Sequence, residues 1–182
     1  MPTWAWIVIG VAAAVILVGG LIAATRATRR RHLRKDFGPE YDRAVADAPT
    51  RREAEEELSE RRERHEQFEL KPLSPTARDR YLHGWEAAQA RFVDDPQQAI
   101  GEADQLIQQV MRERGYPMED FDQRAADLSV DHPQLVDNYR HGREVARRSV
   151  HGEAETEDLR QAMVHYRALF EELLETRETE RV

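Results

Sequence analysis

The stretch SPTARDRYLHGWEAAQARFVDDPQQAIGEADQLIQQVMRERG, residues 74–115, decides the fold class. Ser74 followed by Pro75 is a helix start: a side chain able to accept from an early amide, then a ring whose fixed φ suits the first helical position. From there Ala77, Tyr81, Trp85, Ala88 and Phe92 recur at spacings of 4, 4, 3 and 4, which puts them on one helical face. Asp95-Pro96 repeats the start signal. Ile100, Ala103, Ile107 and Val110 carry a second apolar stripe to Gly115, a residue suited to the left-handed turn that closes a helix. The short link between the two stripes predicts an antiparallel helix pair.

Downstream, Tyr116-Pro117-Met118 reads as a turn, and residues 119–128 as a short helix burying Phe121, Ala125 and Leu128. Beyond Pro133 the apolar face is less regular: Leu135, Val136, Tyr139, Val145 and Ala146, interrupted by Gly142 and closed near Gly152. The last helix begins at Thr156, where Glu157 and Asp158 suit its positive end, and it places Leu159, Met163, Tyr166, Phe170 and Leu173 on one side. No run alternates with period two and none is rich in valine and isoleucine like a strand. The class is all-α, with residues 72–177 forming a small helical bundle and residues 178–182 a polar tail.

Upstream, residues 37–71 are read as a short helix and a charged stalk. Gly38-Pro39 breaks the chain and starts a helix over residues 40–47, which Ala48-Pro49 ends. Thr50-Arg51-Arg52-Glu53 is a capping-box pattern. The helix it opens, predicted over residues 50–70, is charged nearly all round, with Glu57/Arg61 and Glu60/Arg64 in the favourable acid-first order. Ala54, Leu58 and Phe68 are too sparse for sustained heptads, so a solvated connecting stalk is preferred over a coiled coil.

At the N-terminal end WAWIVIGVAAAVILVGGLIAA, residues 4–24, holds no charge over 21 positions. As a helix it spans roughly 31 Å, the thickness of a bilayer's hydrocarbon core. Residues 1–25 are therefore expected to be a transmembrane anchor, with Trp4 and Trp6 at the outer interface. A basic collar follows over residues 26–36: Arg26, Arg29, Arg30, Arg31, Arg34 and Lys35. A cleaved signal peptide would carry its charge on the opposite flank. The positive-inside rule then predicts a single-pass plasma-membrane protein, N-terminus outside and C-terminal domain in the cytoplasm. The collar could recruit anionic lipid, or act only as a topology signal. Gly10/Ala14, Gly19/Ala23 and Gly20/Ala24 have the small-residue spacing of paired membrane helices, although such residues are common in single ones.

The net charge of −8 conceals an asymmetry. Residues 1–35 hold six basic side chains and no acid, which leaves 21 basic against 35 acidic residues in the remainder, a net −14. So acidic a domain repels nucleic acid, and none is expected as a partner. The absence of cysteine excludes disulfides and thiolate metal sites.

No catalytic, cofactor-binding or metal-ligating set emerges. None of His32, His65, His83, His132, His141, His151 and His165 opens a His-Glu-x-x-His pattern or follows a glutamate by three residues. Asp79/His83 and Asp137/His141 stand four apart, as an acid-rich chain produces by chance. Tyr81, Trp85 and Phe92 could line a ligand groove, but such a stripe more often makes core. Arg140, Arg143, Arg147 and Arg148 could dock an acidic partner or form a solvated face balanced by neighbouring acids.

The segments LRKDFGPEYDRAV, YLHGWEAAQARFVDDP, ADQLIQQVMRERGYP and TEDLRQAMVHYRALFEELL together resemble a family of uncharacterised bacterial single-pass membrane proteins, across residues 33–175. The resemblance implies one coherent helical domain and carries no activity with it. The expectation is a non-enzymatic, membrane-anchored helical protein whose domain binds another protein or a second copy. One alternative is a tethered ligand-binding or enzymatic domain using Tyr81, Trp85, His83 or His141. Another is a domain released by cleavage near residue 25.

Overall fold

The computed structural model describes residues 3–175, with the backbone alone for residues 3–15 and 22. Among the described residues there are eight helices and no strand: α1 (Thr3–Phe37), α2 (Pro39–Asp47), α3 (Arg51–His65), α4 (Pro75–Arg91), α5 (Pro96–Arg114), α6 (Phe121–Asp131), α7 (Val136–Val150) and α8 (Thr156–Leu174). The protein is all-α. The chain divides into two compact units, residues 1–59 and 60–182. Among the described residues no helix is long and apolar enough to cross a membrane. The predicted span, residues 4–24, falls for the most part on side chains outside the described ones, and the polar tail, residues 178–182, lies wholly outside them.

In the first unit the basic collar belongs to the same helix as the apolar stretch, since α1 continues to Phe37. Gly38 then breaks it at φ 48°, ψ −122°, a conformation that disfavours residues bearing a Cβ, and Pro39 opens α2. Leu33 and Phe37 of α1, Tyr41 and Ala44 of α2, and Ala54 and Leu58 of α3 are buried. The Tyr41 hydroxyl donates to Glu55 at 2.7 Å, and Arg29 donates to the Ser59 hydroxyl at 2.6 Å. The Thr50 cap forms as predicted on one side, its hydroxyl accepting from the Glu53 amide at 3.3 Å. The Glu53 carboxylate accepts from that hydroxyl at 3.0 Å.

The second unit is built on α5, which packs against α4, α7 and α8. Its fully buried Ile100, Ala103, Ile107, Val110 and Met111 meet Tyr81 and Trp85 of α4 and Leu159, Ala162, Tyr166, Leu169 and Phe170 of α8. Trp85 stacks on Phe170 with centroids 4.6 Å apart and planes 18° from parallel. The predicted caps are made: Ser74 accepts from Ala77 N at 3.1 Å, and Asp95 from Gln98 N at 3.0 Å. Gly115 is left-handed at φ 98°, and a Cβ there would meet the Glu69 carbonyl oxygen at 2.7 Å. Gly142 serves packing instead: α7 and α8 approach so closely that a Cβ at this position would lie 2.3 Å from the Tyr166 ring.

The charged helix differs from its expectation. It stops at His65 rather than near residue 70, and the chain beyond it finds tertiary partners instead of helical ones. Lys71 N donates to the Arg114 carbonyl at 2.8 Å, and Leu70 and Leu73 pack on the core. Nor is its end a solvated stalk. Arg61 reaches the Ser129 hydroxyl at 3.4 Å, Arg64 reaches Asp127 at 3.3 Å and His65 reaches Asp131 at 2.7 Å, all on α6. A helical wheel shows charge there, but not the opposite charges on a helix remote in sequence.

Candidate functional site

Two polar arrangements stand inside the second unit. The first centres on Asp104, placed by α5 on the face that also carries Ile100 and Ile107, and only 4% exposed. Its carboxylate accepts from Tyr166 Oη at 2.8 Å, Arg143 Nη1 at 2.6 Å and Gln108 Nε2 at 2.7 Å. Burial, together with the adjacent Asp104 charge, pushes the Tyr166 hydroxyl far above its ordinary range, so it remains a donor. Nearby, Tyr139 Oη accepts from Arg124 Nε at 3.3 Å, and Arg124 Nη1 donates to the Glu119 carbonyl at 2.6 Å. These contacts tie α5, α6, α7 and α8 around the buried Asp104, Tyr139 and Tyr166, with Gln108 and Arg143 half-buried at the edge.

The second arrangement joins the end of α3, Tyr116, the end of α6 and α8. The Asp131 carboxylate accepts from Tyr116 Oη and lies 2.7 Å from His65 Nε2. Beside it His132 Nδ1 stands 3.4 Å from Glu172. Asp127, whose side chain is 1% exposed, accepts from Arg64 Nε at 3.3 Å and Gln123 Nε2 at 2.8 Å. Three buried atoms in and beside this cluster have no hydrogen-bond partner among the described residues: Arg114 Nε, Asp127 Oδ2 and His132 Nε2. A buried polar atom left unpaired costs about 1–3 kcal/mol, so this seam is held together less completely than the Asp104 network.

The protonation of the cluster follows from its surroundings. Burial raises the Tyr116 hydroxyl well beyond the usual tyrosine range, and the Asp131 charge adds to it. Burial alone would raise the Asp131 carboxyl, yet hydrogen bonds from His65 and Tyr116 and the neighbouring His132 bring it below its ordinary value. Burial lowers His132 from 6.5, against the opposing pull of Asp131 and Glu172 and with the help of Arg114. Both shifted groups carry the same sign for stability. Unfolded chains take up protons at His132 and Asp131 more readily than the native state, so stability is full above each ordinary pKa and declines as pH falls below it. Loss begins near pH 6.5 for His132 and near pH 3.8 for Asp131. The second unit is expected to melt at a lower temperature at pH 5 than at pH 7.5, with a smaller difference in His132→Gln. Thermal melting by near-ultraviolet circular dichroism checks this, and an equal drop in the variant would clear His132 of responsibility.

The residues singled out from the sequence are not brought into one site. Tyr81 and Trp85 are sealed in the core, while His83 and His141 are exposed, so the groove that these four would have lined is not formed. His83 Nδ1 lies 2.8 Å from the Asp79 backbone carbonyl rather than on its carboxylate. Asp137 takes Arg140 at 3.2 Å, and the His141 ring instead meets His165 edge-on at 4.7 Å. The arginine cluster of α7 is shared out among acids: Arg143 to Asp104, Arg147 to Glu144 at 2.8 Å and Arg148 to Asp158 at 2.7 Å. Among the described residues no group of three or more histidines and carboxylates could hold a metal ion.

No protein family matches the chain, and no curated protein or solved structure is similar to it. Its chemistry is therefore read from its own geometry. Both polar arrangements were missed by sequence reasoning. Asp104 leaves a signal, a carboxylate four residues after Ile100 on an otherwise apolar face. The His65, Tyr116, Asp131, His132 and Glu172 cluster leaves none, because its members are scattered over four elements.

Proposed function

We propose that this protein is a single-pass membrane-tethered helical module, in which α1 anchors and orients the chain and the second unit engages another protein at the cytoplasmic face. The observation that carries the tether is the display of apolar side chains along α1. Ile16 is 72% exposed, Leu17 73%, Val18 57% and Leu21 67%, apolar side chains that no described residue covers. Such a display is unfavourable in water and natural in lipid. The six cations after residue 25, unopposed by any acid before Asp36, support placing the rest of the chain on the cytoplasmic side. A protein-binding role for the second unit rests on the way most of its buried polar groups are engaged with one another, which leaves recognition to its surface.

A reporter enzyme fused after Val182 is expected to register the cytoplasmic side, and the full chain is expected to stay in the membrane pellet through alkaline carbonate extraction. A chain released into the supernatant would end the tether reading, and an extracytoplasmic signal would reverse the orientation. Affinity capture from solubilised membranes should recover a specific partner or a second copy. Recovery of neither would end the adaptor reading.

A further inference from the structure

The geometry points to a recess between α1 and the start of α3 as a binding site for the phosphate of an anionic lipid headgroup. A cavity of about 420 Å³ is lined there by Arg26, Arg29, Arg51, Arg52, Glu55 and Glu56. Four arginines from two helices line it beside only two carboxylates, an excess of positive charge that a bound anion would offset. Of the two acids in the wall, Glu56 pairs with Arg52 at 2.8 Å, and Glu55 keeps its charge while accepting from the neutral Tyr41 hydroxyl at 2.7 Å. Arg29 spends one donor on the neutral Ser59 hydroxyl. Neither Arg26 nor Arg51 makes an ion pair among the described residues. The lining therefore keeps a net positive charge of about two, on side chains whose planar forks match phosphate oxygens. Arg51 and Arg52 also open a fifteen-residue helix, whose positive end favours an anion.

The source of the phosphate follows from depth, and here the inference rests on the membrane-tether reading. Arg26 and Arg29 follow residue 24 by about 3 and 8 Å of helix rise, at 1.5 Å per residue. The headgroup layer extends roughly 5–8 Å beyond the hydrocarbon core on each side. A recess at that depth faces lipid phosphates, and it joins Arg51 and Arg52 to the two collar arginines. It thus differs from a collar that acts by diffuse attraction alone.

The test uses the full chain in detergent micelles, with dihexanoyl phosphatidic acid as probe and dihexanoyl phosphatidylcholine and glycerol 3-phosphate as comparisons, bound molecules being counted by native mass spectrometry. Phosphatidic acid should be retained in preference to phosphatidylcholine. Arg51→Gln/Arg52→Gln should weaken it about tenfold, whereas Arg31→Gln/Lys35→Gln, an equal charge loss outside the recess, should change it by less than about twofold. Arg51→Gln alone, at an exposed and unpaired side chain, should cost about threefold and guards against misfolding of the double variant. Equal losses in the two double variants would overturn the site in favour of diffuse attraction. No loss in either Arg51 variant, or no retention by the parent chain, would also overturn it. Glycerol 3-phosphate binding as tightly as the lipid would overturn the lipid source. Failure of the tether itself would show separately, as release of the chain by carbonate.

Discussion

Gly142→Ala is expected to destabilise the second unit by about 3 kcal/mol, at the upper end of overpacking effects. The added methyl would fall 2.3, 2.6 and 2.8 Å from three atoms of the Tyr166 ring. Carbon atoms rest about 3.5–4 Å apart, so α7 and α8 would have to separate by an ångström or more. The ring has no easy escape. Tyr166 is fully buried and its hydroxyl is held by Asp104 at 2.8 Å. Alanine's better helix propensity returns at most about 1 kcal/mol. Gly101→Ala is the control, because a Cβ there meets nothing within 4 Å and the residue is exposed within α5. It should be neutral or slightly stabilising. Urea denaturation of both variants measures the difference. A second cycle tests the cause: in a Tyr166→Leu background, Gly142→Ala should cost much less, and an undiminished cost would show that the ring is not the obstacle.

Asp104→Ala should cost about 4 kcal/mol, a large share of the 5–15 kcal/mol that holds a typical domain folded. The substitution removes the acceptor of three donors at once and leaves the Tyr166 hydroxyl, fully buried, with nothing to bond. Arg143 limits the damage, since its side chain is 40% exposed and can turn its charge to water. Asp104→Asn should cost less, because its carbonyl oxygen can still accept from Tyr166, although its amide meets the donors of Arg143 and Gln108. Tyr166→Phe should cost about 1–2 kcal/mol, and the pair Asp104→Ala/Tyr166→Phe less than the sum of its parts, as shared partners require. Strict additivity in urea denaturation would mean that the two groups do not act as one network.

The two polar clusters differ in what they are suited to do. Around Asp104 every carboxylate lone pair that matters finds a donor, and the effect is to fix the register of α5 against α7 and α8. Around Asp131 and His132 three atoms are left unpaired among the described residues, and the group loses stability on acidification. That seam is where the end of α3 would part most cheaply from α6.

Much of the helical layout was legible without the structure because it is local. Proline after a capping side chain at residues 74–75 and 95–96, glycine at 115, and apolar spacings of three and four all act within one or two turns, and the helices start and stop where those signals stand. The aromatic stripe of Tyr81 and Trp85 was legible as core for the same reason: burying large rings on one face leaves few other places for them. The end of the charged helix was not legible. Residues 61–65 are as helical and as polar as those before them, and only Ser129, Asp127 and Asp131 of α6, more than sixty positions away, turn them from a solvated surface into a packed one. Likewise Gly142 reads as a helix breaker until Tyr166 is seen against it, and Asp104 reads as an exposed acid until Arg143 and Tyr166 close over it. By itself the sequence determined the all-α class, the helix starts and the strong division of charge, since these depend on neighbours along the chain. Only the tertiary structure decided which polar residues pair, which glycine is needed for close approach and where arginines from α1 and α3 converge, since Coulomb and steric forces act through space and take no account of separation along the chain.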